Sequence, residues 1–307
     1  MRILVTGGAG FIGSNVADRF LADGHEVAVL DDLSTGRREN LHPRAVFYEL
    51  SLCDGEEVRR ALADFRPEIV DHHAAQIDVR RSVDEPVHDA SINVLGSLNL
   101  LQAAVACGAR KVVYASTGGA LYGEARTLPA DEDHPINPES PYGVSKHTVE
   151  HYLYLYKLLH GLDYTVLRYP NVFGPRQDPR GEAGVNAIFI GLMSDGRTPT
   201  IFGDGEQVRD YLYVGDVVEA NSLALARGGG EIVNLGWARG VSVNDIFREL
   251  AAILGFAGQP LYAPARPGEV RRIYLSAERA GAVLGWAPQV SFEQGLRRTV
   301  EWYRSIR

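Results

Sequence analysis

Tyr142 and Lys146 stand four residues apart in "SPYGVSK", directly behind Ser140 and Pro141. Ser140 is a good N-cap and Pro141 suits the first helical position, so a helix is expected to begin here. That spacing puts both side chains on one face, one turn apart. An ammonium beside a phenol favours the phenolate, lowering a pKa that is ordinarily about 10. Next to a hydride acceptor, such a pair takes a hydroxyl proton while a hydride leaves the same carbon. Without an acceptor, the same spacing reads better as a solvated helix face.

A place for an acceptor exists at the start of the chain. "VTGGAGFIGS" sets Gly7, Gly10 and Gly13 between a first strand and a first helix. Glycines so placed permit a tight turn, close approach of backbone to a pyrophosphate, and close helix–strand packing. The next strand ends in Asp31 and Asp32. A carboxylate at that point accepts hydrogen bonds from an adenosine ribose and repels a 2′-phosphate, which favours NAD over NADP.

The elements that must hold these groups follow from the hydrophobic pattern. Short apolar runs ("RILVTG", "EVAVLDD", "AVFYEL", "EIVDHHAAQ", "KVVYAS", "YTVLRY") alternate with amphipathic stretches. Helices are expected from Phe11 to Ala22, from about Gly55 to Phe65, from Ile92 onward and from Ser140 to about Leu159. Near-continuous apolar strands alternating with helices imply a doubly wound parallel α/β sheet, a Rossmann architecture. Residues 1–169 read as the dinucleotide-binding domain. Past Tyr169 the regularity fails, and "NVFGPRQDPRGEAG" reads as an ordered binding loop opening a smaller α/β lobe over 170–307. The helix-then-strand pattern of 214–236 is expected to return to the first sheet, and further helices to start near Ser242 and Ser291.

Composition narrows the class. The chain has 307 residues, 45% hydrophobic and 23% charged, which suits a globular protein and excludes wholesale disorder. A formal net charge of −8 argues against a general nucleic-acid binder. No uninterrupted apolar run reads as long enough for a membrane span, and "MRILVTGG" passes straight into a strand pattern, leaving no room for a signal peptide. Two cysteines, Cys53 and Cys107, give no disulfide framework, and no metal-ligand pattern appears. The expectation is a cytoplasmic, reduced, metal-free protein.

Taken jointly, "TGGAGFIGS", "LDDLSTG", "HHAAQIDVRRSV", "NVLGSLNLL", "YASTGGALYG", "SPYGVSK", "RYPNVFGPRQDP", "RDYLYVGDV", "RPGEVRR" and "LGWAP" resemble the extended short-chain dehydrogenase/reductase superfamily, most closely its UDP-glucose 4-epimerases. The resemblance runs over nearly the whole chain. It implies an NAD-dependent isomerase that inverts C4 of a UDP-hexose by transient oxidation, with Tyr142 as base and Lys146 on the nicotinamide ribose. Gly7, Gly10, Phe11, Ile12 and Gly13 would hold the pyrophosphate. Asp31, Asp32 and the turn Leu33, Ser34, Thr35 and Gly36 would hold the adenosine ribose. Ala74, Ala75, Gln76 and Asn93 would line the cofactor, joined by Ala115, Ser116, Tyr169 and Val172. On the substrate side it implies Asn171, Val185 and Asn186 at the diphosphate, Thr200 and Phe202 flanking uracil, Arg209 and Arg266 neutralising phosphate, and Glu269 on a ribose. Arginine's planar fork suits phosphate. Ile273 would border the sugar, where residue size decides whether an N-acetyl group enters. Homodimers are expected, through the helices starting near Pro86 and Pro141.

The chain departs from the family pattern in two places. Ser51, before Leu52, stands where an acid usually meets adenine. Gly118 stands where many members carry a catalytic Ser or Thr. Gly118 and Gly119 line the sugar without a hydroxyl, so Thr117, with Ser116 behind it, or a bound water would meet the 4-hydroxyl. Dehydratases of this fold need an Asp-Glu pair at the positions held by Gly119 and Ala120, which argues against 4,6-dehydration. UDP-glucuronate epimerases typically place an arginine where Asp178 stands, which favours an uncharged hexose. UDP-N-acetylglucosamine or UDP-glucuronate 4-epimerisation are the alternative activities, and a non-catalytic nucleotide-sugar sensor the alternative class.

Overall fold

The computed structural model describes residues 1–179, 184–265 and 270–306. The first half runs β1 (Arg2–Thr6), α1 (Phe11–Ala22), β2 (Glu26–Asp31), β3 (Val46–Glu49), α2 (Gly55–Phe65) and β4 (Ile69–His72). It continues with α3 (Val79–Asp84), α4 (Pro86–Ala90), α5 (Ser97–Cys107), β5 (Lys111–Thr117), α6 (Pro141–His160) and β6 (Asp163–Tyr169). The helices expected over Phe11–Ala22 and Gly55–Phe65 have those bounds.

The rest is built from shorter pieces: β7 (Asn171–Phe173), α7 (Val185–Ser194), β8 (Thr200–Phe202), β9 (Val208–Arg209), β10 (Tyr211–Tyr213), α8 (Val214–Ala224) and β11 (Glu231–Asn234). After these come β12 (Val241–Ser242), α9 (Val243–Leu254), β13 (Leu261–Ala263), β14 (Arg272–Ile273), α10 (Glu278–Leu284) and α11 (Phe292–Ser305).

Seven strands form one parallel sheet in the order β11-β6-β5-β4-β1-β2-β3. Its inner strands β1, β2, β4, β5 and β6 are buried on both faces, so successive residues feed opposite cores. Ile3 and Val5 join Val16 and Phe20 of α1 and Val217 and Ala220 of α8 on one side. Leu4 joins Val58 and Leu62 of α2, Leu100 and Leu101 of α5, and Val149 and Leu153 of α6 on the other. Each such side chain stabilises the fold by roughly 1.5–3 kcal/mol. The strand order reverses between β1 and β4, the point at which open sheets of this kind receive ligands outside their carboxyl ends.

β11 enters this sheet beside β6, pairing Asn234 with Arg168. A separate core packs α7, α9 and α11 around Phe173, Phe189, Phe247 and Leu296. Ser242 and Ser291 each close a capping box that starts α9 and α11.

The helix expected from Ile92 begins earlier. α4 runs into α5 through a π-helical turn, Ser91–Gly96, giving one helical run from Pro86 to Cys107. Against expectation, that run is long and apolar enough by length and composition to cross a membrane. Its polar residues contradict such a placement: Asp89, Asn93 and Ser97 are buried and hydrogen-bonded inside the fold.

Candidate active site

Strand ends β1, β2, β4, β5 and β6 converge with the start of α6. Ser140 Oγ accepts the Gly143 N–H at 3.2 Å, and Ser82 Oγ of α3 accepts the Tyr142 N–H at 3.2 Å. These caps fix the first turn of α6 and with it Tyr142. One turn on, Lys146 is buried with Nζ 4.6 Å from the centre of the Tyr114 ring.

The electrostatics differ from the expectation that the ammonium draws the tyrosine pKa down. Burial, with the Asp89 carboxylate second, raises the Tyr142 hydroxyl. Burial also pushes Lys146 down to about 7, against the pull of Glu150 and Asp89. Desolvation outweighs the pairing because each charged form loses water, and one neighbour cannot replace it.

Behind the pair lies a buried network that sequence reading missed. Glu150, a further turn along α6, accepts Ser116 Oγ at 2.6 Å and both Nε and Nη2 of Arg168 at 3.0 and 2.7 Å. With His147 Nδ1 at 3.2 Å from the same carboxylate, His147, Arg168 and Ser116 hold the Glu150 carboxyl down at about 2 despite its burial. Arg168 also donates to Tyr122, whose hydroxyl donates to Asn234 of β11. Ser116 therefore turns its side chain into this network. Asp89 accepts Gln76 Nε2, Asn93 Nδ2 and Ser145 Oγ at 3.0, 3.0 and 2.6 Å. Asn93 in turn exchanges two hydrogen bonds with the Gln76 backbone.

The glycine turn fits a dinucleotide. Gly7 has φ +67°, and a Cβ there would lie 2.7 Å from the Ala74 nitrogen; at Gly13 it would lie 2.3 Å from the Gly7 oxygen. Only bare backbone allows β1, α1 and the Ala74–Ala75 segment to close together. Gly10, Phe11 and Ile12 open α1, whose N-cap Gly10 makes no side-chain cap bond. Asp31 is buried and accepts the Ala9 and Leu33 N–H groups, both at 2.9 Å, tying the glycine turn to the end of β2. Asp32 caps its own turn through Ser34, beside Thr35 and Gly36. The two arginines that follow are paired, Arg37 with Asp178 and Arg38 with Glu49. A 2′-phosphate would therefore meet carboxylates, which accords with NAD. Ser51 and Leu52 lie past β3, Leu52 buried against Gly96. Ala115, Tyr169 and Val172 lie at the ends of β5 and β6 and in β7. Asp178 is tied by Arg37 to the loop after β2.

Thr117 ends β5, half-buried, and its Oγ1 accepts the Ala120 N–H at 3.3 Å. A small cavity beside it is bounded by Gly119, Asn171, Arg209, Ile273 and Leu275. Next to it Asp210 is buried and accepts backbone N–H groups from Trp237 and Leu275; burial pushes its carboxyl up to about 7. Asn186, at the start of α7 beside Val185, is buried with neither end of its carboxamide hydrogen-bonded. A buried amide left so calls for a polar ligand. Thr200 and Phe202 share one face of β8, half-buried. Arg266 and Glu269 lie outside the described residues.

Among the described residues no group of three or more His, Cys, Asp or Glu side chains could hold a metal ion. Residues 3–236 match the NAD dependent epimerase/dehydratase family. The chain is 47% identical over 311 residues to a UDP-glucose 4-epimerase of Mycolicibacterium smegmatis, covering 99% of both chains. It is 50% identical to the crystal structure of a UDP-glucose 4-epimerase with UDP-glucose from Thermotoga maritima, with a TM-score of 0.98 and coverage of 100% and 99%. A Thermus thermophilus UDP-glucose 4-epimerase in complex with NAD is 48% identical, with a TM-score of 0.94 and 99% coverage of both. With its glycine cradle, its strand-end aspartate and its Tyr142/Lys146 helix on one sheet edge, the chain belongs to the NAD dependent epimerase/dehydratase family.

Proposed function

We infer that this chain catalyses reversible inversion at C4 of a UDP-hexose, with UDP-glucose and UDP-galactose as the exchanging pair and NAD retained between turnovers. The observation that carries the reading is the start of α6, which sets Tyr142 one turn from Lys146, itself buried on Tyr114 of β5. Relatives of about half identity that bind UDP-glucose and NAD support it.

NAD, when bound, would supply a reversible hydride acceptor. Tyr142 removes the 4-hydroxyl proton and returns it after the sugar has turned over. Thr117 hydrogen-bonds that hydroxyl and orients it. Lys146 holds the nicotinamide ribose and supports the phenolate. Asn186, Arg209 and Asn171 hold the diphosphate, which stays fixed while the sugar rotates about it.

The division of labour is a cofactor layer of 1–169, completed by 214–236, and a nucleotide-sugar lobe made of the remainder. A homodimer accounts for the apolar residues left exposed on α4, α6 and the turn after α4: Val87 is 79% exposed and Leu158 and Leu159 are 67% exposed, with Leu95, Val144 and Leu155 alongside. Free Cys53 and Cys107 accord with a cytoplasmic setting.

Product analysis with UDP-glucose and no added cofactor tests the activity. UDP-galactose is expected at equilibrium; its absence overturns the reading. UDP-N-acetylglucosamine and UDP-glucuronate, run alongside, fix the sugar.

A further inference from the structure

We propose that Leu275 is a specificity-determining residue, which with Gly118 forms a size-matched pair closing the sugar pocket beside Thr117. The inference rests on the UDP-hexose reading above and concerns how the pocket admits that sugar.

Gly118 is not a glycine for conformational reasons, because its φ is not positive. Its backbone is fixed at the end of β5, with its N–H donated to the Tyr169 carbonyl at 2.8 Å. What excludes a side chain is space. A Cβ at 118 would lie 2.3 Å from Leu275 Cδ1, 3.2 Å from Cδ2 and 3.3 Å from Cγ. A Cβ at Gly119 would have nothing nearer than Asn171 Oδ1 at 3.5 Å, so the crowding is specific to 118.

Leu275 is held in place by its backbone and packed by its neighbours. It is 1% exposed and packs with Tyr122, Ala130 and Ile273. Its backbone is held from two sides, its N–H by Asp210 Oδ2 at 3.2 Å and its carbonyl by the Ala238 N–H at 3.1 Å. On either side of it, Tyr274 O accepts the Ala130 N–H at 2.9 Å and Ser276 N–H donates to Ala130 O at 2.8 Å. Leu275 also borders the cavity shared with Gly119, Asn171, Arg209 and Ile273. An isobutyl group thus fills, from across the pocket, the volume that a side chain at 118 would take. It leaves Thr117 as the hydroxyl at that place and presents a fixed apolar wall to the hexose.

The test uses the full-length enzyme as Gly118→Ala, Leu275→Ala and the double variant. Readouts are kcat/KM for UDP-glucose and UDP-N-acetylglucosamine, Kd for UDP, and Tm. Forcing a methyl into a packed wall should lower kcat/KM of Gly118→Ala for UDP-glucose about tenfold or more, with Kd for UDP unchanged. The double variant should recover to within about threefold of wild type. Leu275→Ala alone should raise the ratio of acetylated to plain sugar kcat/KM by about tenfold, the scale on which a pocket reads a few carbons. Full activity in Gly118→Ala, no recovery in the double variant, or a lowered Tm with an unchanged ratio would each overturn the proposal. A wild-type protein that epimerises neither sugar defeats the UDP-hexose reading instead. The pair is then judged by the same coupling in the Kd of UDP-glucose relative to UDP.

Discussion

Asp89 of α4 accepts a hydrogen bond from Ser145 Oγ at 2.6 Å, so α4 is fastened to the residue beside Lys146. The buried carboxylate raises the Tyr142 pKa and opposes the fall in that of Lys146. Asp89→Asn removes one negative charge and should lower both. Catalysis needing phenolate and ammonium together should then shift both limbs of its pH profile to lower pH. The check is kcat/KM against pH for the variant and wild type. A profile that only scales in height would show that Asp89 acts through packing alone.

Tyr142→Phe should bind NAD and fold normally yet lose about 10²-fold or more in kcat, the scale of general acid–base catalysis. Thr117→Val keeps the shape but not the hydroxyl, and should also lower kcat, with Thr117→Ser restoring most of it. An unchanged kcat in Thr117→Val would assign the orienting role to a water.

Protein stripped of cofactor should bind NAD far better than NADP, as titration with each will measure. Asp31→Ala should narrow that preference. It should also loosen the glycine turn, because the Ala9 N–H loses its acceptor.

Glu150 and Arg168 form a buried ion pair at 2.7 Å. Glu150→Gln leaves the guanidinium without its counter-charge and should cost about 3–5 kcal/mol of stability in denaturant titration. Glu150 is held at about 2, below its ordinary 4.5. Its contribution is therefore complete above about pH 4.5 and lost as pH falls towards 2. Wild type should lose stability across that window more steeply than the glutamine variant.

The sheet was legible in the sequence because βαβ repetition, apolar runs and N-caps are local signals. α1, α2 and the starts of α6, α9 and α11 could all be read that way. The cofactor turn and the Tyr142/Lys146 pair are likewise short motifs. What stayed hidden is whatever joins distant segments: Asp89 with Ser145, Arg168 with Glu150, Tyr122 with Asn234, Asp210 with Leu275. Glu150 did leave a trace, as the third rung of the 142/146/150 ladder on one helix face. The sign of the Tyr142 shift was misjudged because desolvation depends on packing, which spacing does not report.

The route of the chain through β11 has a mechanical consequence. The backbone leaves the large sheet after β6, builds β7 to β10, returns through α8 to lay down β11, and departs again for β12. The backbone thus crosses three times between the large sheet and the shorter elements, so separating them would require all three crossings to move together. For the same reason a chain ended at Tyr169 should not stand alone. It would bare β6 as a raw sheet edge and leave the Tyr122 hydroxyl without Asn234, an invitation to aggregate.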